Sequence, residues 1–324
     1  MKAFSPYIAL LEDFFQSNLK SEPPHGLYDP ITYIMGLGGK RLRPALLMAS
    51  GELFGAKKED LIQAAAAIEL FHNFTLVHDD IMDEAPLRRG QETIHQKWDL
   101  NTGILSGDAM LIKSYQLFES YPAEVQVQLV QLFSKTALEV CEGQQYDVEF
   151  ENQENVELAN YIKMISYKTA VLIAAALKMG AIIANASEKE QDQLYDFGLN
   201  LGIAFQIQDD YLDAFADPEK FGKQVGGDIV ENKKTILVIK ALEFASENQE
   251  EKLRDLLATQ SVDQNQKVET VKQLFVDTGS AAFTKAEVER FTKIAFASLA
   301  ELHIANEKKK LLFDFAQELM VRDL

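Results

Sequence analysis

Apolar residues recur at helical spacing along almost the whole chain. Alternation of apolar and polar positions is nowhere sustained long enough for a strand. The periodicity predicts helices near residues 3–19, 27–37, 42–54, 58–83, 102–120, 122–150, 155–184, 188–216, 231–247, 264–276 and 280–321, the last of them broken. Gly38-Gly39, Pro86, Gly103, Pro122, Pro218 and Gly226-Gly227 punctuate the pattern. The apolar stretch from Ala170 to Ala186 contains Lys178 and falls short of the ~20 apolar residues of a membrane span. It reads as a helix buried on all sides of a large bundle, so no transmembrane segment is expected. The N-terminal segment to Lys20 is amphipathic, and Glu12 and Asp13 break its apolar run, unlike a signal peptide.

The predicted fold class is therefore all-α. The chain has 324 residues, 47% of them hydrophobic, and its 8 prolines and 17 glycines form no linker, so a single domain over 1–324 is expected. A net charge of -18 argues against a nucleic-acid partner. The single cysteine, Cys141, cannot form an internal disulfide and fits a reducing, cytoplasmic setting.

One chemical pattern occurs twice. DDIMD at 79–83 recurs as DDYLD at 209–213, and each follows a strongly apolar stretch. Helical residues four apart lie about 40° apart around the axis and roughly 6 Å along it, so Asp79 and Asp83 share a face, as do Asp209 and Asp213. Carboxylates that close repel, and at a helix C-terminus they also oppose the helix dipole. One such cluster reads as a solvated acidic helix end. Two of them, each closing an apolar helix, point to divalent cations. Oxygen donors with few histidines nearby favour Mg²⁺, with Mn²⁺ as a substitute, and Mg²⁺ shares its sphere with substrate phosphates.

Basic residues stand close to the breaks. GLGGKRLRP at 36–44 places Lys40, Arg41 and Arg43 beside glycines that let backbone approach a ligand, and LRRG supplies Arg88 and Arg89. YKTA supplies Lys168 and Thr169, while FGKQVGGD and ENKKT supply Lys223 and Lys233. Taken singly, each reads as a surface charge, except Lys168, which sits mid-helix among apolar neighbours. GGKRLRP lacks the spacing and the Lys-Ser/Thr ending of an ATP-binding P-loop. His72, seven residues before Asp79, lies on the same helix face and otherwise reads as a core histidine bonded to a carbonyl. Gln206 precedes Asp209 and Asp213 on one face, where a buried amide is structural by default.

In this order the motifs GGKRLRP, His72, DDIMD, LRRG, KT, QIQDDYLD, GK and DIVENKKT resemble the trans-isoprenyl diphosphate synthases, or polyprenyl synthetases, from about residue 36 to 240. The resemblance implies the isoprenoid synthase fold, a single helical bundle around a deep central cavity, usually a homodimer. It implies a Mg²⁺-dependent head-to-tail condensation of isopentenyl diphosphate with an allylic diphosphate, using two or three ions. Position by position, Asp79, Asp83 and Asp80 would hold Mg²⁺ on the allylic diphosphate, and Asp209, with Asp210 and Asp213, a further ion. Arg88, Lys168 and Lys233 would contact that diphosphate, with Lys223 closing over it on a loop at 218–230. Lys40, Arg43, His72 and Arg89 would hold isopentenyl diphosphate. Thr169 and Gln206 would turn oxygens toward the developing carbocation. No side chain is an obvious general base, so the departing diphosphate is the expected proton acceptor.

Two departures stand out. The first motif is the short form, without the two extra residues of some bacterial relatives, and the spacing from GK to DIVENKK is one residue longer than in some. In the family an aromatic five positions before the first aspartate marks short-chain enzymes. Phe74 matches that pattern, at about 7.5 Å along the helix, and Phe71 lies about 12 Å away and better aligned. Either could cap the growing chain, which predicts products of fifteen to twenty carbons, twenty favoured. A non-catalytic partner subunit would lack one of these motifs. A class I terpene cyclase would have no use for GGKRLRP, and a metal-dependent phosphohydrolase is a third alternative.

Overall fold

The structure, a computed structural model, describes residues 2–216, 226–258 and 263–320. Its helices are α1 (Ser5–Asn18), α2 (His25–Gly36), α3 (Leu42–Leu53), α4 (Lys58–Met82), α5 (Ile94–Lys97), α6 (Leu100–Gln116), α7 (Ala123–Glu151), α8 (Leu158–Ile165), α9 (Val171–Ile183), α10 (Glu188–Phe215), α11 (Gly227–Val230), α12 (Ile236–Phe244), α13 (Glu247–Ala258), α14 (Gln264–Asp277), α15 (Ser280–Glu301) and α16 (Asn306–Met320). A two-stranded ladder, β1 (Leu87–Arg88) and β2 (Gln91–Glu92), is the only sheet among the described residues. The chain divides into two compact units. The first comprises residues 1–134, 175–194 and 303–312, the second residues 135–174, 195–302 and 313–324.

In the first unit α4 packs against α6, α3 and α1. Ala64 to Ala67 are fully buried, because four small side chains let neighbouring backbones close on every side of the helix. Gly51 and Gly180 do the same where α3 meets the end of α9: a Cβ on Gly180 would lie 2.1 Å from the Leu47 carbonyl. Ser50 Oγ bonds the Leu177 carbonyl there at 2.8 Å. Phe71 makes a T-shaped contact with Phe133 at 5.1 Å, and Phe118 and Tyr115 complete the cluster.

The loop between α2 and α3 is fixed by charge. Arg41 adopts a left-handed backbone, φ 46°, and its guanidinium is buried. It bonds Glu12 at 2.8 Å, Glu69 at 2.7 Å and the Met35 carbonyl.

In the second unit, α8, α10, α12 and α15 enclose Tyr161, Ile165, Ile207, Ile236 and Phe291. A second cluster joins Leu237, Leu253, Val271 and Phe275. Gly202 on α10 lets that helix approach Ala170, where a Cβ would come within 2.7 Å.

The helices follow the predicted periodicity, with physical exceptions. The predicted helix at 102–120 starts at Leu100, because Asp99 caps it by accepting from the Thr102 N–H at 2.8 Å. It ends in a 3-10 turn, Leu117–Ser120. The predicted helix at 155–184 carries a π turn, Ser166–Ala170, between α8 and α9. The helical run Leu158–Ile183 is 26 residues long, enough to cross a membrane by length and composition, but 72% of its apolar window is buried inside the fold. The predicted helix at 231–247 begins only at Ile236, after a turn with Asn232 at φ 59°. α13 escaped the reading because its sequence is mostly polar, with Leu253 its one buried residue. The predicted break in 280–321 falls at 302–305.

Replacing Glu69 with Ala leaves Arg41 buried with one carboxylate fewer and should cost about 3 kcal/mol or more. Replacing the more exposed Glu12 should cost under about 1 kcal/mol. Urea unfolding of the two variants is the measurement, and equal losses would show that the buried pair does not hold this loop.

Candidate active site

In the first unit the functional groups collect around the C-terminus of α4. Asp80 points inward and is 2% exposed, whereas Asp79 is half-buried and Asp83 exposed. Asp83 caps the helix, its N–H bonding the Asp79 carbonyl at 2.9 Å. The chain then turns back through the β1–β2 hairpin. Arg89 and Gly90 are its central residues, both left-handed at φ 54° and 75°, as a type I′ turn requires. The return brings Arg88 onto Asp80, with Nε 2.8 Å from Oδ2 and Nη2 2.7 Å from Oδ1. Asp80, expected beside the metal, is thus held by Arg88, and Arg88, expected on the allylic diphosphate, is held by Asp80.

Arg89 lies across the glycine loop and donates to the Gly38 carbonyl. Gly39, at φ 142°, holds a backbone conformation that residues with side chains rarely adopt, and a Cβ there would stand 2.9 Å from the Arg89 guanidinium. Arg43, on the first turn of α3, places Nη1 3.0 Å from His72 Nε2. Burial, and then Arg43, Arg89, Arg88 and Arg41, hold His72 well below its usual pKa. His72 is therefore neutral and its Nε2 accepts from Arg43. Arg43 Nε is buried with no hydrogen-bond partner. Arg43, His72 and Arg89 thus come together, with Lys40 next to them in sequence. A crowd of cations with an orphaned donor is suited to a multiply charged anion.

In the second unit a cavity of about 160 Å³ is lined by Asp147, Tyr161, Lys168, Thr169, Gln206, Asp210, Asp228, Lys233 and their neighbours. Lys168 sits on the π turn with Nζ 2.5 Å from Asp147 Oδ2. Its side chain is 32% exposed, so it is not the buried lysine the periodicity suggested. The extra residue of a π turn rotates the next side chains out of the α-helical phase. Gly143 makes room for this turn: a Cβ there would lie 2.2 Å from the Lys168 backbone nitrogen. Thr169 Oγ1 donates to Gln206 Oε1 at 3.3 Å, and Gln206 Nε2 donates to Asp210 Oδ1 at 3.2 Å. The Tyr161 hydroxyl donates to Asp210 Oδ2 at 2.5 Å.

Asp209 and Asp213 are half-buried on the same helix. Asp213 Oδ2 accepts from the Asp228 N–H at 3.0 Å, and the Gly226 N–H bonds the Asp213 carbonyl at 2.6 Å. Lys233 reaches Glu231 at 2.8 Å and Asp228 at 3.4 Å. Burial opposes its charge, but Glu231 and Asp228 hold it above its usual pKa. Lys267 holds the preceding turn through Asn232 at 2.6 Å. Burial, and then the Asp228 carboxylate, push Asp210 up to about 8 and Asp213 up to about 6, and burial also raises Asp228. Carboxyls that resist ionising side by side fit a cation. No group of three or more His, Cys, Asp or Glu side chains is assembled as a complete cage among the described residues. Lys223 and Gly222 lie outside the described residues.

A sequence model of the polyprenyl synthetase family matches residues 24–275. The chain belongs to the polyprenyl synthetase family. It is 41% identical to the geranylgeranyl diphosphate synthase of Sulfolobus acidocaldarius over 80% of this chain and 79% of that one. It is 34% identical to the geranylfarnesyl diphosphate synthase of Natronomonas pharaonis over 97% and 95% of the two chains. A crystal structure of a geranylgeranyl pyrophosphate synthase superposes with a TM-score of 0.94 at 51% identity, covering 99% of each chain. These polyprenyl synthetases share the all-α isoprenoid synthase fold with this chain.

Three pocket residues of this polyprenyl synthetase escaped the sequence reading. Asp147 follows Gly143 by one turn in a long helix, and only the clash at Gly143 marks the spot. Asp228 stood inside the DIVENKKT motif without a role of its own. Tyr161 carried no signal, since a tyrosine on the apolar face of α8 reads as core.

Substituting Gly143 with Ala should force α7 away from the π turn, at a cost of about 2 kcal/mol. Displacing Lys168 and Asp147 by even 1 Å should lower turnover by about a hundredfold. Thermal melting and steady-state kinetics check this, and wild-type turnover in that variant would sink it.

Proposed function

We propose that this polyprenyl synthetase condenses isopentenyl diphosphate head-to-tail with an allylic diphosphate and releases diphosphate, giving trans products of fifteen to twenty carbons, twenty favoured. The observation that carries this reading is the cationic nest of Arg43, His72 and Arg89 against the glycine loop, with the buried Arg43 Nε left for an anion. A terpene cyclase, which has no second diphosphate substrate, has no use for such a nest. A non-catalytic subunit would not keep both aspartate motifs.

Asp79, Asp83, Asp209 and Asp213 would hold Mg²⁺, two or three ions in all. Bound Mg²⁺ supplies neutralisation of the charge that gathers on the leaving diphosphate. Arg88, Lys168 and Lys233 orient the allylic diphosphate, and Arg43, His72, Arg89 and Lys40 fasten isopentenyl diphosphate with its double bond aligned on the allylic carbon. Thr169 and Gln206 turn oxygen lone pairs toward the cation formed as the carbon–oxygen bond breaks. The proton lost after attack goes to the departing diphosphate. Incubating the protein with Mg²⁺, labelled isopentenyl diphosphate and primers of five, ten and fifteen carbons should give labelled twenty-carbon product. Absence of chain growth from every primer would overturn the reading.

The product stops at aromatic rings. Phe74 is 5.6 Å from Phe71 and 4.7 Å from His78, ring centre to ring centre, and Phe71 is fully buried beneath it. Phe74→Ala, and Phe71→Ala to a lesser degree, should shift the main product by at least one isoprene unit. Unchanged chromatograms from both would remove the rings from length control.

The protein acts as a single catalytic domain, as a cytoplasmic homodimer. Leu100, Ile104, Leu105 and Ile112 form one face of α6 and are 41% to 59% exposed, a stripe suited to a second copy. Leu105→Glu with Ile112→Glu should give a monomer by light scattering, and an unshifted mass would exclude this face.

A further inference from the structure

The second DDxxD motif holds three carboxylates, but their surroundings differ. Asp209 and Asp213 are half-buried, while Asp210 is 7% exposed. Each oxygen of Asp210 already accepts a hydrogen bond from inside the fold, Oδ2 from the Tyr161 hydroxyl at 2.5 Å and Oδ1 from Gln206 Nε2 at 3.2 Å. Tyr161 is 1% exposed, and within this unit's core it is walled by Ile165, Ile207 and Ile236. A metal ligand needs a lone pair directed at an open position. Asp210 commits one lone pair of each oxygen to a donor fixed by packing, and it is the least exposed carboxylate of the three.

We infer that Asp210 is a positioning residue, and that Tyr161 and Asp210 together set the Gln206 amide so that Gln206 and Thr169 present oxygen lone pairs to the reacting carbons. The assignment rests on the condensation reaction proposed above. An amide has one oxygen end and one nitrogen end, and committing Nε2 to Asp210 turns Oε1 toward Thr169. The Thr169 hydroxyl hydrogen is then spent on Gln206 Oε1. The Tyr161 hydroxyl, one N–H of Gln206 and the Thr169 hydroxyl are thus donated along the chain, and Gln206 Oε1 and Thr169 Oγ1 keep lone pairs. A reversed amide would aim two N–H groups at a developing cation and raise its energy. The middle aspartate of DDYLD would then be kept for the electrostatics of the carbocation, while its neighbours serve the metal.

The test compares Asp210→Asn, Asp210→Ala, Tyr161→Phe and Asp209→Asn with wild type, all checked for native melting. Asn can still accept from Gln206 through Oδ1 and donate to the Tyr161 oxygen, so it preserves the chain that Ala breaks. In calorimetric titrations with Mg²⁺ and a non-reactive bisphosphonate analogue, Asp209→Asn should weaken Mg²⁺ by about tenfold or more. Asp210→Asn and Tyr161→Phe should stay within about twofold of wild type. In kinetics, Asp210→Asn should lower kcat by about threefold and Asp210→Ala by about a hundredfold, with KM for both substrates little changed. Tyr161→Phe should lower kcat by about tenfold and raise the fraction of primer captured by water as alcohol. Loss of Mg²⁺ affinity in Asp210→Asn equal to that in Asp209→Asn would make Asp210 a ligand and overturn the inference, as would wild-type kcat in Tyr161→Phe. A wild-type protein that extends no primer would overturn the condensation itself and this assignment with it. Normal extension alongside either of the first two results would overturn the assignment alone.

Discussion

Like charges gathered in one part of a fold repel, and a structure that gathers them must either pair them internally or meet them with a ligand. The cationic nest does both. Arg41 is spent on Glu12 and Glu69 and is scaffold as it stands, whereas Arg88 is paired with Asp80 but keeps part of its guanidinium exposed. Arg43, with one buried nitrogen unpartnered, and Arg89, held only to a backbone carbonyl, retain capacity for an anion. The same sorting works in the carboxylate pocket. Asp147 is answered by Lys168 and Asp228 by Lys233. Burial, and then the Asp228 charge, raise both Asp210 and Asp213, so this pocket still carries an unanswered electrostatic cost.

The neutral His72 arises from the same constraint. A protonated imidazole beside Arg43, Arg89, Arg88 and Arg41 would add to their positive charge. Kept neutral, it accepts from Arg43 through Nε2 and fixes the guanidinium plane without competing for the anion. The residue works through its lone pair, whereas the surrounding residues work through their charge.

How much of this could be read in advance depends on the physical range of each signal. The aspartate motifs and the glycine-rich basic loop were legible because spacing and composition carry them. The helices were legible wherever one face is apolar over several turns. The illegible parts depend on contacts distant in sequence or on lost periodicity. The Arg88–Asp80 pair needs a hairpin with two residues per strand, too short to show any period. Lys168 looked buried because α-helical phase places it inward, and one π turn undoes that phase. Tyr161 is indistinguishable from core until its hydroxyl is seen 2.5 Å from Asp210.

The aspartates proposed to grip metal and the rings proposed to stop the chain lie on a single helix. α4 runs unbroken from Lys58 to Met82 and carries both Asp79 at its end and Phe74 and Phe71 along it. It contains no glycine or proline, and its buried alanines let neighbouring helices pack closely on it, which favours a fixed spacing between Asp79 and Phe74. An isoprene unit is about as long as one helical turn, roughly 5 Å, so moving the stop by one unit means moving the blocking ring by about a turn. On the proposed reading, product length is then set by which turn of α4 carries a large side chain. On that reading the aromatic cluster of Phe133, Phe118 and Tyr115, packed against Phe71, would be a second barrier, which limits how far removal of either ring alone lengthens the chain.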